Sequence, residues 1–250
     1  MTQQLELSIV IPCYNEAKRL DVAQISQFLK NQQNVLLCFV DDGSKDNTLE
    51  VLHNLKNNFP TSVEVISTIK NGGKAAAVRT GVLYCNQQLN QKHVAYLDAD
   101  LATSLEECYE ISQQINTTVV FAFGSRISKI DNQIDRKLYR FYVGRIIATA
   151  ISQQLGITVY DTQCGCKIID NELSKKIFKE SFISKWLFDV ELFHRIIAIY
   201  GKDKMHQICR EIPLKKWIDI GESKVQFTYF FKLWLDLFTI GKTYKTKHNK

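Results

Sequence analysis

Apolar residues in the first half of the chain follow two alternating patterns. Leu7–Ile11, Val35–Val40, Val63–Ser67, Val94–Leu97 and Val119–Phe123 are short, nearly continuous apolar runs, the mark of buried strands. Between them the apolar residues recur at helical intervals. Leu20, Ile25, Phe28 and Leu29 form one set, and Leu49, Val51, Leu52 and Leu55 a second behind Asp46 or Ser44 as cap. Lys74–Leu89 is a third helix, opened by Gly72-Gly73, and Leu105, Cys108, Ile111 and Ile115 a fourth. Ser104 and Glu107 make a capping box ahead of that last helix. Strand–helix alternation of this kind predicts parallel strands joined by right-handed crossovers. The second half is less regular. It predicts helices near 136–155, 171–180 and 187–200, a strand near 205–213, and an amphipathic helix near 223–241.

With 250 residues, 45% of them hydrophobic and 23% charged, the chain is long enough for one sizeable core and is neither disordered nor collagen-like. No apolar run reaches the roughly 20 residues of a membrane span. Phe141–Tyr160 is broken by Arg145, and Phe227–Ile240 by Lys232 and Asp236. The polar segment Met1–Glu6 does not read as a signal peptide. The expected location is therefore cytoplasmic, with peripheral attachment on the cytosolic face of a membrane. The seven scattered cysteines suit a reducing compartment, and the C-x-C pair Cys164 and Cys166 lacks the spacing of a zinc site.

Charge divides the chain. Residues 1–125 hold 9 lysines and arginines against 13 acids, whereas residues 126–250 hold 23 against 13. An acidic half beside a basic half suggests a metal site next to an anionic ligand such as a phosphate, a nucleic acid or a lipid headgroup. In open α/β sheets ligands bind outside the carboxyl ends of the strands. The unusual polar residues fall there: Pro12-Cys13-Tyr14-Asn15-Glu16 after the first strand, Asp41-Asp42-Gly43-Ser44 after the second, Asp98-Ala99-Asp100 after the fourth. Any one of these would serve as a turn or cap, but three acidic strand ends on one edge repel each other unless a cation is present. Asp98 and Asp100 offer two hard oxygen ligands to Mg²⁺ or Mn²⁺, which in turn bridges to a diphosphate. The P-loop and the Rossmann glycine fingerprint are both absent. Gly72-Gly73-Lys74 opens a helix and reads equally as a phosphate-attracting N-terminus or as a plain loop and cap.

In order and spacing, IPCYNEAKRL, VDDGSKDNT, NGGKAAAVRTG and LDADLAT resemble the nucleotide-sugar half of the family 2 glycosyltransferases. GSRI, DTQCGCK and WLFDVEL resemble the dolichyl-phosphate glucosyltransferase branch, and the resemblance spans roughly residues 6–240. It implies a single-domain GT-A fold, a Rossmann-like nucleotide-sugar-binding sheet with flanking helices. The catalytic domain would cover residues 1–223, followed by an amphipathic helix and basic tail over 224–250. The implied activity is metal-dependent, inverting transfer of a hexose, glucose favoured, from a nucleotide-sugar to a polyisoprenyl phosphate. Pro12, Tyr14 and Glu16 would line the base and ribose pocket, Asp41 and Asp42 would bond the uracil or ribose, and Lys74 would lie near the nucleotide. Asp98 and Asp100 would hold the metal and diphosphate, and Arg126 would face the acceptor phosphate. Gln163, Lys167, Trp186 and Asp189 would shape the sugar and acceptor side, with Asp189 counted among the catalytic groups. Cys166 departs from the aromatic usual in the glucosyl pattern, and Ala102 stands where mannosyl relatives have a third ligand, Gln.

A phosphate acceptor also makes sense chemically. A sugar hydroxyl needs a general base, whereas a phosphate monoester, with a second pKa of about 6, is already an anion and needs positioning by cations. Arg126, Lys129, Arg136, Lys137, Arg140 and Arg145 fit that need. The interleaved aromatics of residues 136–142 suit a membrane interface, and the same composition is found in RNA binding. The helix near 223–241 reads either as buried or as lying in a membrane plane, with the basic residues from Lys242 onward near anionic headgroups. The rival activities are transfer to a sugar hydroxyl and GDP-mannose-dependent transfer to the lipid phosphate. A lipid- or RNA-binding protein on an inactive scaffold is the rival outside enzymes.

Overall fold

The computed structural model describes residues 4–135, 138–218 and 229–248. Its first half alternates as the apolar pattern predicts: β1 (Leu5–Cys13), α1 (Val22–Asn31), β2 (Val35–Asp41), α2 (Thr48–Asn58), β3 (Val63–Ser67), α3 (Lys74–Gln88), β4 (Gln91–Leu97), α4 (Leu105–Ser112) and β5 (Phe121–Ser125). The predicted caps are partly realised. The Ser104 side chain accepts from Glu107 N at 3.1 Å; before α2 the Asn47 side chain makes no capping bond, but the predicted Asp46 accepts from Thr48 N, the first amide of the helix, at 3.1 Å.

The second half contains β6 (Gln133–Asp135), α5 (Leu138–Leu155), β7 (Cys166–Asp170), α6 (Asn171–Ile177), α7 (Phe188–Tyr200), α8 (Met205–Ile208), β8 (Cys209–Pro213), β9 (Lys216–Ile218) and α9 (Tyr229–His248). Seven strands form one sheet in the order β3-β2-β1-β4-β7-β5-β8, and β6 pairs with β9 separately. β1 through β4 are mutually parallel, as expected. β5 runs in the same direction, and the one reversal among the described strands of this sheet is the second-half strand β7, which lies antiparallel between β4 and β5 and is not foreseen in the less regular half of the chain. The strand expected near 205–213 begins only at Cys209, after the short helix α8.

Alternate residues of the central strands face opposite sides of the sheet, and both sides are covered, so the runs are apolar throughout. Val10, Val40 and Tyr96 face a core built with α3, α5, α6, α7 and α9. Ile9, Ile11, Phe39 and Leu97 face the core built with α1, α2 and α4. Helix α3 lies close on the sheet at Gly81, where a Cβ would stand 2.4 Å from the Val10 side chain. Six of the seven cysteines are buried and Cys209 is half-buried.

Helix α9 is buried along one side, as the first of its two sequence readings has it, and exposed along another. Leu237, Ile240 and Tyr244 are buried in the core with α7, while Leu235 and Phe238 stay about 70% exposed. Phe227 and Thr228 lie outside the described residues, as do the side chains of Phe230 and Phe231 and those beyond Lys245. Helix α5 carries a second uncovered stripe: Leu138, Tyr142 and Ile146 recur at four-residue spacing and are each more than 60% exposed. Arg136 and Lys137, and the Arg140 side chain, lie outside the described residues. No helix among the described residues is long and apolar enough to cross a membrane.

Candidate active site

The carboxyl ends of β1, β2 and β4 open on one edge of the sheet, because parallel strands joined by crossovers all end on the same side. The first two loops are knitted together. Asn15, at φ 52°, donates its backbone N–H to Ser44 Oγ at 2.9 Å, and its Oδ1 accepts from Lys45 N at 2.8 Å. Glu16 N donates to Thr48 Oγ1 at 2.8 Å, and the Glu16 side chain is buried. Pro12 and Tyr14 are half-buried on the same rim. Asp41 accepts from Ser44 N and Ser67 Oγ, both at 3.3 Å.

The two oxygens of Asp42 accept the Gly72 and Gly73 amides, each at 2.8 Å. Ala75 N donates to Lys185 O at 3.1 Å. Three amides at the start of α3, those of Gly72, Gly73 and Ala75, are thus taken by the protein's own acceptors. The Lys74 side chain carries the positive charge at this end. Its Nζ lies 2.5 Å from Asp98 Oδ1. Burial works against the ammonium, but Asp98 first, then Asp189 and Asp100, hold its pKa above the usual lysine value.

Asp98 and Asp100 occupy a tight turn after β4, with Leu101 N donating to Asp98 O at 3.1 Å and Ala102 N to Asp100 Oδ1 at 3.1 Å. Burial, then the neighbouring Asp98 charge, raises the Asp100 carboxyl above the ordinary carboxylate range. Arg19 approaches from the β1 loop, 3.3 Å from Glu16 and 3.6 Å from Asp100. Among the described residues no group of three or more His, Cys, Asp or Glu is placed to hold a metal. Two crowded hard carboxylates still fit a divalent ion whose other positions are filled by phosphate oxygens and water.

Under this turn lies a fully buried charged assembly. Lys167 Nζ donates to Asp189 Oδ1 at 2.6 Å and to Cys164 O at 2.7 Å, and Tyr96 OH also donates to Asp189 Oδ1. Lys167 is 0% exposed, so it acts on the site through Asp189 and the 164–165 backbone. Gln163 is half-buried on the adjoining loop, and Trp186 is 37% exposed before α7.

Arg126 forms a two-point pair with Asp161, Nε to Oδ2 at 2.6 Å and Nη2 to Oδ1 at 2.8 Å, and its guanidinium lies over the Trp217 ring at 5.3 Å. Its Nη1 makes no hydrogen bond among the described residues. Arg145 donates to Tyr160 O at 2.6 Å and stacks on that ring at 3.8 Å. These two of the six expected basic residues are thus tied into the protein, and Lys129 lies 3.6 Å from Asp131 on the surface.

Residues 8–178 match the family described as glycosyl transferase family 2. The chain belongs to that family. Relatives of this family 2 glycosyltransferase include a dolichyl-phosphate beta-glucosyltransferase of Trichomonas vaginalis, 29% identical over 94% of this chain and 70% of that protein. Another is the dolichyl-phosphate beta-glucosyltransferase of Saccharomyces cerevisiae, 31% identical over 89% of this chain and 70% of that one. In fold it is similar to glucosyl-3-phosphoglycerate synthase from Mycobacterium tuberculosis, with TM-score 0.67 at 14% identity over 96% of this chain and 80% of that chain. That enzyme was solved with Mn²⁺, UDP and glucosyl-3-phosphoglycerate, and another of its complexes holds Mn²⁺ with UDP-glucose.

In this glycosyltransferase the geometry brings Asp98, Asp100, Lys74, Asp189 and Lys167 into one charged cluster. Arg126 belongs to a separate pair with Asp161. Sequence reasoning gave no role to Arg19, Tyr96, Asp161 or Gly165. Arg19 and Asp161 stand inside the quoted motifs, and their signal was an unassigned charge there. Tyr96 reads as one more apolar strand residue and gives no signal.

Proposed function

We propose that the chain transfers glucose from UDP-glucose to a polyisoprenyl phosphate, inverting an α donor to a β-linked product, with Mg²⁺ or Mn²⁺ held by Asp98 and Asp100. The observation that carries this reading is the pair of strand-end carboxylates facing Lys74 and Arg19 at the edge of the sheet. The dolichyl-phosphate glucosyltransferase relatives and the UDP-glucose and Mn²⁺ in the structural neighbour support the choice of donor, acceptor and ion. When bound, the ion would neutralise charge on the departing diphosphate.

The chain's own groups would do the rest. Tyr14 stacks on the base, with Pro12, Glu16, Asp41 and Asp42 shaping the base and ribose pocket. Lys74 exchanges its contact with Asp98 for the diphosphate. Gln163 and Trp186 border the sugar. Asp189, braced by Lys167, keeps Lys74 in place. Arg126, fixed by Asp161, turns its remaining Nη1 to the acceptor phosphate and holds it in line for attack. Because that phosphate is already an anion, no base is required. An assay offering UDP-glucose, UDP-galactose, UDP-N-acetylglucosamine and GDP-mannose separately, each with one short polyprenyl phosphate, tests the reading. The expected result is preference for UDP-glucose. Preference for GDP-mannose overturns the donor assignment, and transfer only to a free sugar hydroxyl overturns the acceptor.

The same reading puts the protein on the cytosolic face of a membrane, attached peripherally. Its support is the bare stripe Leu138, Tyr142 and Ile146 with Leu235 and Phe238, together with exposed Lys232, Lys242 and Lys245. Binding to vesicles containing anionic lipid is expected and should weaken between low and high salt, since headgroup attraction is screened. Binding that ignores salt, or none at all, contradicts it.

A further inference from the structure

Gly165 faces Asp98 across the junction of β4 and β7. The register pairs Tyr96 with Lys167 and Leu97 with Cys166, and Asp98 N donates to Gly165 O at 3.0 Å. Residues opposite one another on antiparallel strands project their side chains to the same face. A Cβ on Gly165 would fall 2.0 Å from Asp98 Oδ2 and 2.3 Å from Asp98 Cγ. The Asp98 carboxyl therefore lies in the space that any other residue at 165 would fill. Gly165 is not among the glycines with positive φ, so its backbone conformation is open to other residues. The requirement for glycine is one of space alone.

The floor of this seat is rigid. Cys164 is 1% exposed, and its carbonyl is held by Lys167 Nζ at 2.7 Å. Lys167 is fixed by Asp189, and Asp189 by Tyr96. The Asp98 side chain, by contrast, is short and 38% exposed, with room to turn away, and is touched from the other side by Lys74. Adding a methyl group at 165 moves the carboxylate and leaves the sheet standing.

We infer that Gly165 is a positioning residue for Asp98, its absent side chain being the seat that aims the carboxylate, with Lys167, Asp189 and Tyr96 fixing the floor. The inference rests on the proposed role of Asp98 as a metal ligand. Displacing a ligand through its neighbour typically costs roughly 10–100-fold in metal affinity.

The test uses Gly165→Ala, Asp98→Ala and the double variant in the full chain. Two quantities are read: the thermal midpoint, and Mn²⁺ binding in the presence of UDP followed by the free-ion paramagnetic signal. Gly165→Ala should keep the wild-type circular dichroism and bind Mn²⁺ about tenfold or more weakly. The double variant should bind it no worse than Asp98→Ala alone. In the thermal cycle, Gly165→Ala should lower the midpoint in the wild type and cost little where residue 98 is already alanine. If Asp98→Ala loses Mn²⁺ and Gly165→Ala does not, the inference is overturned. If Asp98→Ala binds Mn²⁺ normally, the metal reading has failed, and the thermal cycle alone decides: coupling supports the seat and additivity overturns it. Should Gly165→Ala fail to fold, folding of the double variant supports the seat, and failure of both overturns it.

Discussion

Asp100→Asn should fold as well as the wild type and lose turnover by roughly two to three orders of magnitude, the loss expected when a group stabilising transition-state charge is removed. The fold tolerates the change because asparagine keeps the shape and can still accept the Ala102 amide. It also relieves strain. Burial and then Asp98 hold the Asp100 carboxyl above its ordinary range. A carboxyl whose pKa is raised in the folded state contributes stability only while protonated, below its unfolded value of about 3.9. That contribution is lost as pH rises through the folded value, so at neutral pH the ionised group weighs against folding. Asparagine removes that load, and its thermal midpoint at pH 7 should equal or exceed that of the wild type. Asp98→Asn should differ, because it removes the negative charge that faces Lys74 at 2.5 Å and leaves that ammonium beside fewer carboxylates. Stability and turnover are expected to separate at residue 100 and to fall together at residue 98. Full turnover by folded Asp100→Asn in saturating Mn²⁺ would remove Asp100 from the site.

What could be read from the chain alone follows from what periodicity encodes. Strands buried on both faces leave continuous apolar runs, so β1 to β5 and the helices between them were visible in Leu7–Ile11 and its counterparts. β7 was not. Its five residues, Cys166-Lys167-Ile168-Ile169-Asp170, put a lysine in the middle of the sheet, and a lysine there reads as surface until its partners Asp189 and Cys164 are known. β6 and β9, at three residues each, are too short for any period to register. The acidic edge was legible because strand ends of parallel units share a side. The pairing of those acids was not, because Lys74 with Asp98 and Arg126 with Asp161 are 24 and 35 positions apart and only the fold joins them. The partner of the Gly72 amide met the same limit, being a carboxylate 30 residues upstream.

That distant pairing sets the second large effect. Arg126→Met should lower the unfolding free energy by about 3–5 kcal/mol, the usual consequence of leaving a buried charge without its partner. Asp161 is buried and accepts from Arg126 three times, at Nε, Nη2 and the backbone amide at 3.1 Å. Burial pushes its carboxyl up, but the Arg126 charge and hydrogen bonds outweigh burial and hold it well below the ordinary range. Because the folded value is depressed, the stabilisation is complete above the unfolded value of about 3.9 and is lost as pH falls below it. Denaturant titrations of the wild type should therefore show stability falling away under about pH 4, and part of that acid loss should vanish in an Arg126→Met, Asp161→Asn double variant. With no buried charge left, the double variant should also be more stable at pH 7 than Arg126→Met. Acceptor binding is a separate readout. Arg126→Lys keeps a cation opposite Asp161 but lacks the planar fork that holds Asp161 at two points and leaves Nη1 over for the proposed acceptor. It should raise the KM for polyprenyl phosphate more than that for UDP-glucose. An Arg126→Met protein as stable as the wild type at pH 7 would show that the pair does not hold the loop, and equal changes in both KM values for Arg126→Lys would remove Arg126 from the acceptor side.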